Sequence, residues 1–334
     1  MHKEKDTIRL IDSMMPKSPY KLNRLFECDS EAVEFNGNRL LFNVDEFSKE
    51  DLLREHDPYS LGWNAAVGSV ADILAAGGKP VFYLHSMVVG NDWDKDYIRL
   101  FSKGVADVLD KAGIGFLGGD FGKSENWRYT VTVVGVSGGR TLFRCGASEG
   151  DSIYLTGEIG AGNLEAFLKL YEDKKIIGTV AKKFKNRFKT RFEEAELIGQ
   201  YATACIDTSD GVFNAVNTLS EMSGTGFELQ DLNYIRFGKS AAKLFALPQT
   251  LLFLGECGEY ELLFTVGKQG EDDFVREGLD RGLKFKKIGK VTDASSKVLY
   301  EGSRKYDFRK LDISARDFID MKQYIKELVK FLKA

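Results

Sequence analysis

Nine residues, Ala204-Cys205-Ile206-Asp207-Thr208-Ser209-Asp210-Gly211-Val212, limit what this chain can fold into more than any other stretch. Ala202, Ala204 and Ile206 read as the end of a buried strand. Val212, Phe213, Val216, Leu219 and Met222 then recur at helical spacing. Two carboxylates, a hydroxyl and a glycine therefore stand at a strand-to-helix junction. Backbone N–H groups point outward there and favour anions. Acids are unwelcome at such a place unless a cation or a Mg-bound phosphate joins them. Ser and Asp before a helix are also ordinary caps, so the stretch alone fits either a cap or a metal–phosphate site.

A chain of 334 residues has room for two domains and a large core. Its net charge of -3 gives no footprint for nucleic acid or an anionic membrane, so neither is expected as a partner. No apolar run approaches a membrane span. The first residues, Met1-His2-Lys3-Glu4-Lys5-Asp6, lack the apolar core of a signal peptide. Cys28, Cys145, Cys205 and Cys257 are far apart with no Cys-x-x-Cys pair, which points to reduced thiols in a cytoplasm.

Asp6 to Met15 has helical spacing and stops at Pro16. Glu31–Phe35 and Leu40–Val44 read as strands joined by a hairpin at Asn36-Gly37-Asn38, with Asp29 before one strand and Asp45 after the other. Asp57-Pro58 starts a helix that runs to about Ala76 and stops at Gly77-Gly78. Leu61, Ala65, Gly68 and Asp72 share one face of it. Small residues there allow close approach, and the apolar neighbours of Asp72 argue against a fully wet side chain. Pro80–Val89 is a buried strand in which His85 reads as a satisfied core histidine. Asp96–Ala112 is an amphipathic helix. Gly113 to Asp120 is a short strand ending in a glycine pair and an acid, and Tyr129–Val136 is a strand.

Arg144 to Asp151 is polar and glycine-containing and marks a domain boundary. The expected organisation is 1–150, 151–310 and a C-terminal helix in 311–334. Ser152–Thr156, the glycines 157, 160 and 162 and a helix from Asn163 resemble a phosphate loop, but no Gly-Lys-Ser/Thr follows. Lys174–Arg191 is basic and reads as a solvated helix face with one residue reaching a substrate phosphate. Leu251–Leu254 is strand-like, Gly255–Tyr260 is a loop, Glu261–Val266 is a buried strand, and Asp317–Leu332 is an amphipathic helix. Each cysteine abuts a motif. Small half-buried strand ends explain this, and a reactive or soft-metal thiol is the alternative.

The acids now form a pattern: Asp29, Asp45, Asp72, Asp120, Asp207 and Asp210. Carboxylates converging on one cleft repel each other unless cations intervene. Several Mg²⁺ ions holding a nucleotide triphosphate account for them economically. The motif order is Asp-x-x-Ala-Val, Asp, Gly-Gly-x-Pro, Gly-Gly-Asp, Arg-x-Gly-Ala-x-x-Gly-Asp, Ile-Asp-x-Ser-Asp-Gly and Tyr-Glu-Leu-Leu-Phe. It resembles the aminoimidazole-ribonucleotide-synthetase (AIR synthase) related superfamily, within it most of all the thiamine-monophosphate kinase branch. The resemblance runs from Asp29 to about Val291. It implies an α/β (α+β) fold of two domains, with N-terminal strands forming a dimer sheet or barrel and a C-terminal α/β sandwich. It also implies ATP and Mg²⁺ in a cleft, and a homodimer. By the same resemblance Asp29, Asp45, Asp72, Asp120, Asp207 and Asp210 are Mg²⁺ ligands and Asp210 lies nearest the transferred phosphate. Gly119, Asp120, Arg144 and Ser209 contact the nucleotide.

The substrate side departs from that branch. Asp-Asp-Ala-Ala appears as Asp29-Ser30-Glu31-Ala32, and Thr-Asp-Thr as Val44-Asp45-Glu46. The substrate-reading histidine has no counterpart in 47–53. Gly-Gly-Glu-Asp-Tyr-Glu becomes Glu256-Cys257-Gly258-Glu259-Tyr260-Glu261, which leaves Glu259 as the acid to read the substrate. The expectation is in-line transfer of a phosphoryl group from ATP to a small phosphorylated metabolite, with the acceptor open. The alternatives are an ATP-dependent ligase or cyclase of the superfamily and a non-catalytic nucleotide-binding homologue. The chain ends Phe331-Leu332-Lys333-Ala334 without a terminal cysteine, which weighs against the hydrogenase-maturation branch. No cysteine lies in a glycine-rich N-terminal arm, which weighs against the selenium-using branch.

Overall fold

The computed structural model describes residues 2–48 and 57–333. Most of the stretch 47–53, where the substrate-reading histidine is missing, lies outside the described residues. The first half comprises α1 (His2–Met14), β1 (Glu31–Phe35), β2 (Asn38–Ser48), α2 (Pro58–Ala75), β3 (Lys79–Gly90), α3 (Lys95–Ala112), β4 (Gly115–Ser124) and β5 (Arg128–Val136). Its sheet has the order β1-β2-β5-β3-β4. Asn36 and Gly37, both in the left-handed region, make the two-residue turn that pairs Phe35 with Asn38. Asp57 caps α2 by accepting from the Ser60 N–H at 2.9 Å. Alternate residues of the strands, among them Leu41, Phe47, Tyr83, Met87, Tyr129 and Val131, are buried in one core with α2 and α3. At its margin the Tyr129 hydroxyl meets Nδ1 of the half-buried His85 at 2.9 Å, so that histidine has a partner.

The second half comprises β6 (Ser152–Leu155), α4 (Ala161–Leu170), α5 (Lys175–Ala181), α6 (Phe192–Tyr201), β7 (Ala202–Asp207), α7 (Val212–Ser223), β8 (Gly226–Gln230) and α8 (Arg236–Leu244). It continues with α9 (Leu251–Leu254), β9 (Leu262–Val266), α10 (Lys268–Asp280), β10 (Lys286–Thr292), β11 (Lys297–Glu301), β12 (Arg304–Asp307) and α11 (Met321–Lys333). Seven strands form one sheet, β12-β11-β8-β10-β6-β9-β7. One core joins it to α4, α7, α9 and α11, the last through Tyr324, Leu328 and Leu332. Another core gathers Leu197, Ile198 and Phe274 with Leu74 and Ala75 of α2, so the end of α2 is packed into the second half. The architecture is therefore mixed α/β in two domains with two sheets.

Three expectations change. Leu251–Leu254 is a helical turn, because Pro248, Gln249 and Thr250 carbonyls accept from Leu251, Leu252 and Phe253 N–H. Four apolar residues carry too little periodicity to tell helix from strand. Gly118-Gly119-Asp120 is not a strand end but the middle of β4, paired in parallel with His85 and Ser86 of β3. A side chain on Gly119 would collide with the His85 carbonyl, its Cβ falling 1.8 Å away.

The third is the basic segment, of which only α5 is helical; 184–191 has no regular structure and straps the domains together. Lys185 pairs with Asp57 at 2.6 Å. The Phe188 N–H donates to Asn64 Oδ1 at 2.9 Å, and Trp63 Nε1 donates to the Phe188 carbonyl at 2.8 Å. Arg187 lies 4.9 Å over the Tyr59 ring. Arg191 donates to both oxygens of Glu261, at 2.6 and 2.7 Å.

Candidate metal and phosphate site

The domain contact decides the geometry. Gly68 of α2 faces Tyr260 so closely that an added Cβ would lie 3.0 Å from the ring. Tyr260 also packs on Phe188, ring centroids 4.6 Å apart. With a glycine at 68, the next turn of α2 carries Asp72 against the end of β7, where Asp207 stands. Asp29 arrives on the loop before β1. Carboxylate oxygens of Asp29, Asp72 and Asp207 all lie within 4.8 Å of one another.

Arg144 donates from Nε and Nη2 to one oxygen of Asp29, at 3.0 and 2.5 Å. The Ser209 hydroxyl and N–H donate to Oδ1 of Asp207, at 2.7 and 3.3 Å. The other oxygen of each acid, Oδ2, is buried with no hydrogen-bond partner. Asp45 on β2 sits at the edge, its Oδ2 accepting from Asn43 Nδ2 at 2.8 Å, and Asn43 is itself fixed to the Ser69 carbonyl at 3.0 Å.

Burial first, then the charge of Asp29, pushes Asp207 up to about 7. Burial pushes Asp45 up to about 6, with Asn43 opposing and Asp29 adding. Asp72 rises well above the carboxylate range through burial and then Asp45, Asp207 and Asp29. Burial raises Asp29 as well, against the pull of Arg144. Burial works against the Arg144 charge, but Asp29, Asp207 and Asp72 outweigh it and hold that charge firmly.

At such separations each carboxylate pair repels by about 3 kcal/mol for an effective dielectric constant of about 20. One guanidinium does not offset three such pairs. Hard oxygen donors, two of them unpartnered, fit divalent cations of the Mg²⁺ kind. Asp29, Asp45, Asp72 and Asp207 are the residues that would hold them.

The other expected residues fall in different places. Asp210 is exposed, 3.6 Å from Arg316. No side chain caps α7; its N-cap is Gly211, pressed against the Gly255 carbonyl and in the left-handed region at φ 86°. The cap reading of Ser209 and Asp210 therefore gives way to the contacts with Asp207 and Arg316. Gly119 and Asp120 are exposed on β4. Asp45, Val131, His85 and Gly119 form one row across the sheet, three strand spacings or about 14 Å. Asp120, the next residue along β4, lies in the neighbouring row, opposite Ser86. Glu259 is buried, and its carboxylate accepts from Gly160 and Ala161 N–H at 2.6 and 3.2 Å. Burial pushes it up to about 8. It anchors the start of α4.

Sequence reading missed Asn43, Arg191, Glu261 and Arg316. Only Glu261 carried a signal, as the second acid of its motif. No disulfide joins any of the four cysteines. Cys28, pushed up to about 12 by burial and then Asp29, is a poor thiolate, and burial raises Cys205 well above its ordinary value.

Residues 28–137 match the family model of the AIR synthase related protein N-terminal domain, and residues 148–301 that of its C-terminal domain. The chain belongs to the AIR synthase related family. Thiamine-monophosphate kinase of Aquifex aeolicus is 28% identical over 289 residues, 83% of this chain and 89% of the relative. The Bacillus subtilis enzyme of that name is 27% identical over 308 residues, 88% and 94% of the two chains. Among solved structures, AaThiL complexed with AMPPCP and TMP superposes with a TM-score of 0.73 at 25% identity, covering 91% of this chain and 96% of its own. Among the described residues no helix is long and apolar enough to cross a membrane.

Proposed function

We propose that the chain is an ATP- and Mg²⁺-dependent kinase that transfers the γ-phosphoryl group to a small phosphorylated acceptor. The observation that carries this is the buried Asp29–Asp72–Asp207 cluster with its unpartnered oxygens. The relatives named thiamine-monophosphate kinase support it. Bound Mg²⁺ would neutralise the triphosphate and align its γ-phosphorus. Arg144 and Ser209 orient Asp29 and Asp207 and contact the nucleotide. Asp210, exposed beside the cluster, faces the transferred phosphate. A phosphate acceptor is already nucleophilic, so no strong general base is needed.

We further read the working unit as a homodimer. The edge strand β4 exposes Phe116, Leu117 and Phe121 around Asp120, an apolar edge that is costly to leave in water. A second copy covering this edge would let Asp120 serve the partner's site. A cytoplasmic setting supplies ATP and suits four cysteines outside any disulfide. Incubation with ATP–Mg²⁺ and a metabolite panel including thiamine monophosphate, with products identified by mass, tests the reading. A product heavier by one phosphoryl group is expected. Absence of both transfer and ATP binding would refute it.

A further inference from the structure

The loop that carries Asp207 is gripped by the segment 259–261. Thr208 is fully buried. Its N–H donates to the Glu261 carbonyl at 2.9 Å, and its carbonyl accepts from the Glu259 N–H at 3.1 Å. Its Oγ1 accepts from the Glu261 N–H at 2.9 Å. Asp207 and Ser209 flank it, so the place of the Asp207 carboxylate follows the place of Glu261.

The Glu261 side chain is fixed in turn. Arg191 donates to both its oxygens, at 2.6 and 2.7 Å, and the Thr156 hydroxyl donates to Oε2 at 2.5 Å. An added Cβ on Gly157 would lie 2.2 Å from Oε1, so a glycine there makes room for the carboxylate. Between Glu259 and Glu261, Tyr260 stands in the left-handed region at φ 51°, which a bulky residue adopts only at a cost. Strain of that kind persists where the surroundings impose it, and it clusters at functional sites. Here the Tyr260 ring lies against Gly68 of α2 and Phe188 of the strap. Arg191 ends that strap, and Asn64 of α2 is bonded to its Asn186 and Phe188, at 2.9 Å each. Asn64 stands about two turns before Asp72 on the same helix.

We propose that Arg191, Glu261 and Thr208 are positioning residues that hold Asp207 at a set distance from Asp72, and that this spacing makes the cluster select Mg²⁺ over Ca²⁺. The inference rests on the cation site of the kinase reading. Hydrogen bonds run from the strap on α2 through Arg191, Glu261 and Thr208 to the residue beside Asp207, so the two acids are braced against each other. Mg²⁺ demands near-ideal octahedral geometry at roughly 2.0–2.1 Å, whereas Ca²⁺ accepts roughly six to eight oxygens at roughly 2.3–2.6 Å in flexible arrangements. A rigid set of donors is what tells the two ions apart. Slack in the brace lets the acids spread, which the larger ion tolerates and Mg²⁺ does not. The three residues act through Asp207 and do not themselves bind the ion.

The test titrates the full chain, free of nucleotide, with Mg²⁺ and separately with Ca²⁺ by calorimetry. Thr208→Val keeps the shape but leaves the Glu261 N–H without its acceptor, and Glu261→Gln keeps the length but loses the charge that grips Arg191. Each should weaken Mg²⁺ binding about tenfold and Ca²⁺ binding by less than about threefold. Thr208→Ser, which keeps the hydroxyl, should stay close to the unaltered chain. Arg191→Lys keeps the charge without the fork and should fall between. Phe274→Leu, a core change outside the cluster, should lower the melting temperature and leave the ratio of the two affinities as it was. An unchanged ratio in folded Thr208→Val and Glu261→Gln, or the same shift in Phe274→Leu, would overturn the inference. A nucleotide-free chain that binds neither ion also overturns it and leaves the kinase reading to its own assay. A chain that shows the expected ratios yet transfers no phosphoryl group defeats the kinase reading alone.

Discussion

Arg144 donates twice to one oxygen of Asp29 and leaves the other buried without a partner. The guanidinium therefore holds the acid in place and keeps a lone pair aimed into the cluster. Arg144→Ala should leave Asp29 unsupported and an uncompensated charge in a buried place. A loss of at least about tenfold in Mg²⁺ affinity is expected, since supporting residues of metal ligands typically contribute 10–100-fold. Titration calorimetry with Mg²⁺ and a non-hydrolysable nucleotide reads it.

The pH dependence has a definite sign. An acid whose folded pKa is raised favours the folded state most below its unfolded value, near 3.8, and loses that contribution as pH rises through the folded value. For Asp207 the folded value is about 7 and for Asp45 about 6. In EDTA the protein should therefore lose stability between about pH 4 and pH 7. Asp207→Asn should melt higher than the unaltered chain at pH 8, by about 2–4 °C per kcal/mol relieved, with the gap closing at pH 4. Added Mg²⁺ should reverse the order. Thermal unfolding at the two pH values checks it.

Much of the site was legible because its acids lie at recognisable junctions: Asp29 before a hairpin, Asp72 on a face with Gly68, Asp207 at the end of an apolar strand. Their convergence was not legible, because it depends on Tyr260 meeting Gly68 across the domain contact. Gly118-Gly119-Asp120 misled for a physical reason: glycines that end a strand and glycines that admit a neighbouring strand's carbonyl look alike in sequence. Arg191 was hidden in a run of lysines and arginines whose partners are distant in the chain. The anchoring of Glu259 was hidden because nothing in its own loop reveals the N–H groups of Gly160 and Ala161.

Arg191 and Glu261 form a two-pronged pair with both side chains about nine-tenths buried. Removing one member of such a pair costs about 3–5 kcal/mol, because the other charge is left buried. Arg191→Ala should show that loss in urea denaturation. Arg191→Ala with Glu261→Gln together should recover part of it.

Asp120 and Asp210 offer a mixing test of the shared site. Asp120→Asn and Asp210→Asn should each be inactive while folding normally. If Asp120 serves the partner's site, refolding the two variants together restores one intact site per mixed dimer, or about a quarter of full activity for random pairing. Mixtures that stay inactive would place Asp120 in its own chain's chemistry or in none.

The three acids come from a loop of the first domain, a helix that bridges both halves and a strand of the second. Any cation they share would be bonded to both sides of the domain contact at once. By mutual linkage, whatever tightens the grip on the ion also stiffens the joint, and whatever loosens the joint releases the ion. Residues at the domain contact, such as Phe188 in the strap and its partner Asn64 on α2, would then tune metal affinity without touching the ion.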